Sequence, residues 1–297
     1  MSFRLLVAAC VVGGACASAH STPVVVPRPD SAPTNSPAAA PAGPAPREAR
    51  RSDAVRYGPS AVRYLVHRQV HRETLGSQLQ VQNLGVRIFV TMAITGPADS
   101  VGYPATFSVD SIAADSGTPP LVSNSFAKVR KLVYAGRVVR RGEFVNVVAS
   151  DSALAQAAAQ LIGTFRDFLP RLPPDGVAPG ATWADTVEMT QKSADAASAR
   201  HAVLRATAAA GAPVAGLPSV RVETSQLYTV TGNGKNLGQP YELSGAGTAS
   251  ATAIITADGR YLGGEGRDST SFTYRLLARG DQVPVIQVTR TTVAVLP

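Results

Sequence analysis

Cysteine is missing from almost all of this 297-residue chain: the only two thiols, Cys10 and Cys16, stand in its first sixteen residues. That excludes a disulfide framework and any thiolate-based zinc site in the body of the protein. Charged residues make up only 16% and aromatic residues only 6%. Such scarcity of Glu, Lys and Arg argues against a helical bundle, and the abundance of Thr, Ser, Val, Gly and Ala favours sheet. The four histidines do not form a His-Glu-x-x-His frame, and there is no Gly-x-Ser-x-Gly elbow. No nucleotide-binding glycine loop is present either. Gly232–Gly238 has glycines and Lys235, but neither P-loop nor dinucleotide spacing, and reads as a flexible hairpin loop.

What is abundant is arginine, which carries a formal net charge of +8 and a pI near 9.9. Arg4 contributes +1 within residues 1–15. Residues 16–53 add another +1, from Arg28, Arg47, Arg50 and Arg51 against Asp30, Glu48 and Asp53. The rest of the chain is therefore basic in itself. Its charges are scattered along strand-like patterns, without a basic block or interleaved aromatics, so nucleic acid is not the expected partner.

Residues 1–15 have the layout of a signal peptide: Arg4, the apolar run Leu5–Val12, then small residues. The run is far shorter than the ~20 residues that span a bilayer. Gly13-Gly14-Ala15-Cys16 resembles the lipobox of bacterial lipoproteins, in which the cysteine is lipidated and becomes the new N-terminus. Gly13 departs from it, standing where Leu or Val is usual. Val7-Ala8-Ala9-Cys10 fits the four-letter pattern but leaves too short an apolar region before it. Cleavage after Ala17-Ser18-Ala19 is the alternative. The placing of cysteine only here favours lipidation at Cys16. Ala17 and Ser18, with no Asp after the cysteine, resemble the outer-membrane default. Residues 16–53 are rich in Pro, Ala and Ser and are expected to form a disordered, extended tether.

The body, 54–297, reads as mainly β, α+β at the margin. Val86, Ile88, Val90, Met92 and Ile94 alternate with polar or small partners and define one face of a strand. Further strands are expected at 62–70, 106–112, 182–191, 199–208, 218–230, 243–256, 260–277 and 283–296. A hairpin is expected across Arg141-Gly142, and a type I′ hairpin at Asp258-Gly259. A short helix is expected within 121–133. The one amphipathic helix is placed at about 152–169. Ser150-Asp151 supply its N-cap, Leu154, Ala158, Leu161, Ile162, Phe165 and Phe168 its apolar stripe, and Pro170 its stop. The Pro173–Trp183 corner follows. Pro59-Ser60-Ala61-Val62-Arg63 echoes Pro218-Ser219-Val220-Arg221, which suggests two similar halves, 54–170 and 171–297. The expected architecture is a curved antiparallel sheet, sandwich or half-barrel with the helix packed on it.

The candidates for chemistry are thin. His67 and His71 share a strand face, but no third or fourth ligand completes a metal site, and they read as solvent-facing residues of an edge strand. Ser125-Phe126-Ala127-Lys128 resembles the Ser-x-x-Lys motif of penicillin-binding enzymes, yet no Lys-Thr-Gly or Ser-Asp-Asn element follows. Glu265 and Asp268 fall on opposite strand faces, as do Asp185 and Glu188. No catalytic, metal-binding or cofactor-binding set is expected.

The export signal, the tether, the alternating strands and the Pro179-Gly180-x-x-Trp183 corner together resemble uncharacterised bacterial envelope lipoproteins with one β-rich domain. The expectation is an exported protein anchored to the membrane at Cys16, in the cell envelope on the outer membrane or else soluble in the periplasm. Its domain would be a non-catalytic binding or carrier module. An apolar ligand or envelope component would lie against Leu161, Phe165, Phe168 and Trp183. The alternatives are an assembly lipoprotein acting through protein contacts, and a hydrolase using Ser125/Lys128 or His67/His71.

Overall fold

Alternation of apolar and polar residues governs nearly every described element. The computed structural model describes residues 54–118, 129–155, 165–192, 195–236 and 238–297. The first meander comprises β1 (Ser60–Leu75), β2 (Leu79–Ile94), β3 (Tyr103–Ala114), β4 (Val133–Val138) and β5 (Phe144–Ala149). The second comprises β6 (Thr182–Lys192), β7 (Ala196–Val214), β8 (Leu217–Asn236), β9 (Gln239–Thr256), β10 (Tyr261–Leu276) and β11 (Gln282–Leu296). Antiparallel pairing of β1 with β11 joins them into one 11-stranded sheet, ordered β5-β4-β3-β2-β1-β11-β10-β9-β8-β7-β6. The sheet is not closed: β5 and β6 are its two edges.

The sheet curls strongly around its apolar face. Arg200 on β7 donates from Nη1 to the Asp268 carboxylate on β10, 3.1 Å away. In a flat sheet those positions would lie about 14 Å apart across three strand spacings. They would also be four residues out of register. Only a concave surface brings them together. One end of that surface holds an aromatic cluster, in which the Phe107 ring lies 4.8 Å from Phe144, 5.0 Å from Phe165 and 5.4 Å from Phe168. Tyr64 packs against Phe168 and Tyr261, and its hydroxyl donates to the Tyr261 carbonyl at 2.8 Å. A second, smaller core at the other end gathers Val187, Tyr228, Val230, Leu243, Phe272 and Val285.

The described parts of the connection between the edge strands pack against the concave face through Phe165 and Phe168. Its helical start is capped as the sequence predicts, with the Leu154 N–H donating to the Asp151 carboxylate at 2.8 Å. Residues 152–155 are helical, and 156–164, with Leu161, lie outside the described residues. The expected C-terminal turns are not α-helical: Phe165–Asp167 form a 3-10 turn. The Pro173–Trp183 corner then pairs Val177 with Val55 through backbone bonds of 2.8 and 2.9 Å, and Asp175 accepts from Arg56 at 2.9 Å. An ion cluster completes the seam. Arg171 reaches Glu143 at 2.7 Å, Asp167 at 2.9 Å and Asp185 at 3.7 Å, and Asp185 also accepts from Arg141. Burial works against the Arg171 charge, but these three carboxylates outweigh it and hold its pKa above the usual value.

Several expectations need correction. The strand expected at 199–208 runs further: β7 continues to Val214 and turns through Ala215-Gly216, both at positive φ, into β8. That is the two-residue reversal expected instead at Asp258-Gly259. There the loop is Ala257-Asp258-Gly259, closed by the Thr256 N–H to the Arg260 carbonyl, and only Gly259 is left-handed. Gly232–Gly238 is mostly strand, since β8 runs to Asn236. Of the helix expected within 121–133, residues 121–128 lie outside the described residues, and Val133 opens β4. Strand β1 is no edge strand but lies between β2 and β11. Pro59 precedes the first strand of its meander, whereas Pro218 lies within the third strand of the other.

Candidate ligand-binding trough

Small residues on the inner face leave space that no described side chain fills. Ala249, Ala251 and Ala253 of β9 share inward-facing rows with Asp268, Gly266 and Gly264 of β10. Side chains this short cannot reach the opposite wall of the curl, and a cavity of about 410 Å³ remains. Ala251 faces inward and is nonetheless exposed, so the cavity opens to solvent. Phe165, Phe168, Leu169 and Arg171 from the edge-to-edge connection form its cover.

The rows change character along the strands. Nearest the aromatic cluster, Val66, Val293, Gly264, Ala253 and Val222 lie side by side across β1, β11, β10, β9 and β8. The next row is Arg68, Thr291, Gly266, Ala251 and Thr224. After it come Val70, Thr289, Asp268, Ala249 and Gln226, then Arg72, Gln287, Thr270, Gly247 and Tyr228. The trough is therefore apolar at one end and polar beyond Arg68.

Its polar half is organised around Asp268. One carboxylate oxygen accepts from the Tyr228 hydroxyl and from Thr270 Oγ1 (2.9 Å), and the other accepts from Arg200. The Arg200 guanidinium also stacks 3.5 Å above the Tyr228 ring and donates to Gln226 at 3.2 Å. Gly247 is required here, since a Cβ would stand 2.4 Å from the Tyr228 hydroxyl. Burial, followed by the hydrogen bond to Asp268, pushes the Tyr228 phenol well above its usual pKa.

Arg68 and Arg72 are not consumed by this network. Nε of Arg68, and Nε and Nη2 of Arg72, are buried without a hydrogen-bond partner. Arg72 is only 3% exposed and lies 5.8 Å from the Phe272 ring centroid. Burial pulls the Arg68 guanidinium below its ordinary pKa range, against the opposing charge of Asp268.

Of the residues singled out by sequence, Phe165 and Phe168 line the cavity together. Trp183 faces inward on the row of Ala206, Thr224 and Ala251, but packs against the aromatic cluster, with Nε1 unpartnered. Leu161, Cys16, Ser125 and Lys128 lie outside the described residues. His67 and His71 point to the outer face. His67 Nε2 meets Asp115 at 2.6 Å, and His71 contacts Asn83 at 2.8 Å and Glu73 at 3.1 Å. No group of three or more His, Cys, Asp or Glu side chains is placed to hold a metal among the described residues.

Sequence reasoning missed the arginines because charges in a strand pattern look like surface. The signal was parity: Arg68 and Arg72 keep step with the buried Tyr64, Val66 and Val70, and Arg200 with Ala202 and Leu204. No protein-family model matches the chain, and no curated protein shows significant similarity to it.

Proposed function

We propose that this is an exported binding or carrier protein, held at the membrane by a lipid on Cys16, whose curled sheet shelters an amphiphilic or apolar ligand. The observation that supports this most is the 410 Å³ trough between the small-residue floor and the Phe165/Phe168 cover. Its volume falls among those of small-molecule sites, about 300–1,000 Å³. The acid–base groups are already engaged: Asp268, in the trough, accepts from three donors, and His67 and His71, on the outer face, are occupied by neighbours. That favours binding over catalysis.

The assembly reading calls for a broad apolar patch on the outer face. Val203 and Leu227 sit opposite one another there, 43% and 68% exposed. Their neighbours along the strands are His201, Arg205, Ser225 and Thr229, and the exposed Leu75, Leu79 and Val81 stand apart at the β1–β2 hairpin, so these exposed apolar side chains fall into separate small groups.

The test is expression with the native leader in a two-membrane bacterium, gentle purification from the envelope, then intact-mass and lipid analysis. The expected result is an acylated N-terminus at Cys16 and a co-purifying amphiphile. A chain beginning at His20 with an empty trough that also rejects added amphiphiles would overturn both parts of the proposal.

A further inference from the structure

The register places five charged side chains on the inward face of the described strands: Arg68, Arg72, Asp185, Arg200 and Asp268. Asp185 is matched at the seam by Arg141 and Arg171, and Asp268 is matched by Arg200. Arg68 and Arg72 remain without a carboxylate within ion-pairing distance among the described residues. A guanidinium withdrawn from solvent without a counter-charge, half-buried at Arg68 and buried at Arg72, is unfavourable unless something supplies an anion. Its planar fork of N–H donors suits the paired oxygens of a carboxylate or phosphate.

Position narrows the ligand further. Arg68 stands at the boundary between the two halves of the trough. Towards the aromatic cluster the walls are Val66, Ile88, Val222 and Phe168, and away from it they are Gln226, Gln287 and Thr289. We infer that the trough takes a single-chain amphiphile with an anionic head, which Arg68 binds directly while the apolar chain extends towards Phe168. Arg72, about 13 Å further along β1, adds positive potential at the polar end. Asp268 acts on Arg68 only from a distance, because its ion pair is with Arg200. The inference rests on the carrier reading above and specifies its ligand.

The experiment uses the full mature chain and four probes: a fluorescent long-chain fatty acid, the matching fatty alcohol, a lysophosphatidic acid and inorganic phosphate. Binding is followed by fluorescence and by competition, in the native protein and in Arg68→Gln and Arg68→Lys. The native protein is expected to prefer the acid to the alcohol. Arg68→Gln should weaken the acid roughly ten- to hundredfold, leave the alcohol unchanged, and be partly rescued by Arg68→Lys. Comparing the fatty acid with lysophosphatidate identifies which oxyanion head is preferred, and either preference supports the inference. Thermal unfolding separates a binding role from a structural one. With no ligand, Arg68→Gln should melt at or above the native temperature, because it removes a half-buried charge that has no ion-pair partner. A lower melting temperature together with unchanged acid binding would make Arg68 structural and overturn the inference. Equal affinity for acid and alcohol, untouched by Arg68→Gln, would also overturn it while leaving the carrier reading in place. Binding of no amphiphile would remove both, and binding of inorganic phosphate alone would make this a free-anion site.

Discussion

The aromatic end and the middle of the inner face are made from the same alternating strands and behave as opposites. At the end formed mainly by β1–β5, inward positions carry Tyr64, Met92, Phe107 and Phe144, and the rings interlock until no room is left. Across the middle of β8–β11 the inward positions carry Ala, Gly, Thr and Gln, with Arg68 beside them on β1, and the surface stays open as far as the smaller core around Phe272. Curvature and strand order are shared, so side-chain volume alone decides which half is core and which is site.

Truncation should separate the halves most sharply. Phe107→Ala removes a fully buried ring touching three others, and a loss of about 3–5 kcal/mol in chemical denaturation is expected. Ala251→Leu, on the floor of the trough, should change stability by less than about 1 kcal/mol, because it fills space instead of creating it. Amphiphile binding by that variant should nevertheless be lost. A large destabilisation by Ala251→Leu would mean that the open half is packed after all.

Next in size is the seam that ties the halves together. Arg171 is only 11% exposed and faces three carboxylates, so Arg171→Ala should cost about 3 kcal/mol by leaving Asp185, Glu143 and Asp167 short of a partner. Tyr228→Phe removes one donor from the Asp268 network and should cost about 1–2 kcal/mol, with hydrogen-exchange protection falling in β8 and β10 but not in β2 and β3.

The smallest effects lie in pH dependence, and they report on opposite ends. Beside the aromatic end, the Arg137 hydrogen bond, and after it the backbone N–H groups of Gly102 and Val101, depress Asp99 from 3.8 to about 2. A depressed carboxyl stabilises the fold above its unfolded pKa, and that contribution disappears as pH falls from near 3.8 through about 2. Carboxyl NMR should find the Asp99 midpoint there. At the other end His71 is raised above 6.5, first by its bond to Asn83 and then by Glu73. A raised imidazole contributes fully below its unfolded pKa, and the contribution is lost as pH climbs through the folded value. Its exposure keeps the effect slight. His71→Gln should flatten the limb above pH 6.5 and leave the acid limb alone.

Much of the first region was legible in the sequence. The alternation from Val86 to Ile94 names its buried face residue for residue, and Asp151 caps as its side chain suggests. The second region was legible as strands but not as a site. Its rows are assembled from five strands, and no local pattern tells which residue will oppose which. Ala249, Ala251 and Ala253 alternate along β9 and so share one face. Their emptiness became visible only once Gly264 and Gly266 were seen opposite. Ala215 was illegible for another reason: a left-handed alanine is imposed by the strands it joins, against its own preference.

The pairing of β1 with β11 matches Arg63 to Leu296, nearly the whole folded length apart. Contacts so remote in sequence are slow to form, since the intervening chain must be gathered before they can reward it. Until then the first hairpin presents one unpaired β1 edge, rich in Val and Leu, to any other extended chain. During synthesis β11 emerges after β1–β10, and among the described strands it alone covers that edge. Loss of β11 alone should therefore leave a sticky intermediate instead of a smaller version of the protein.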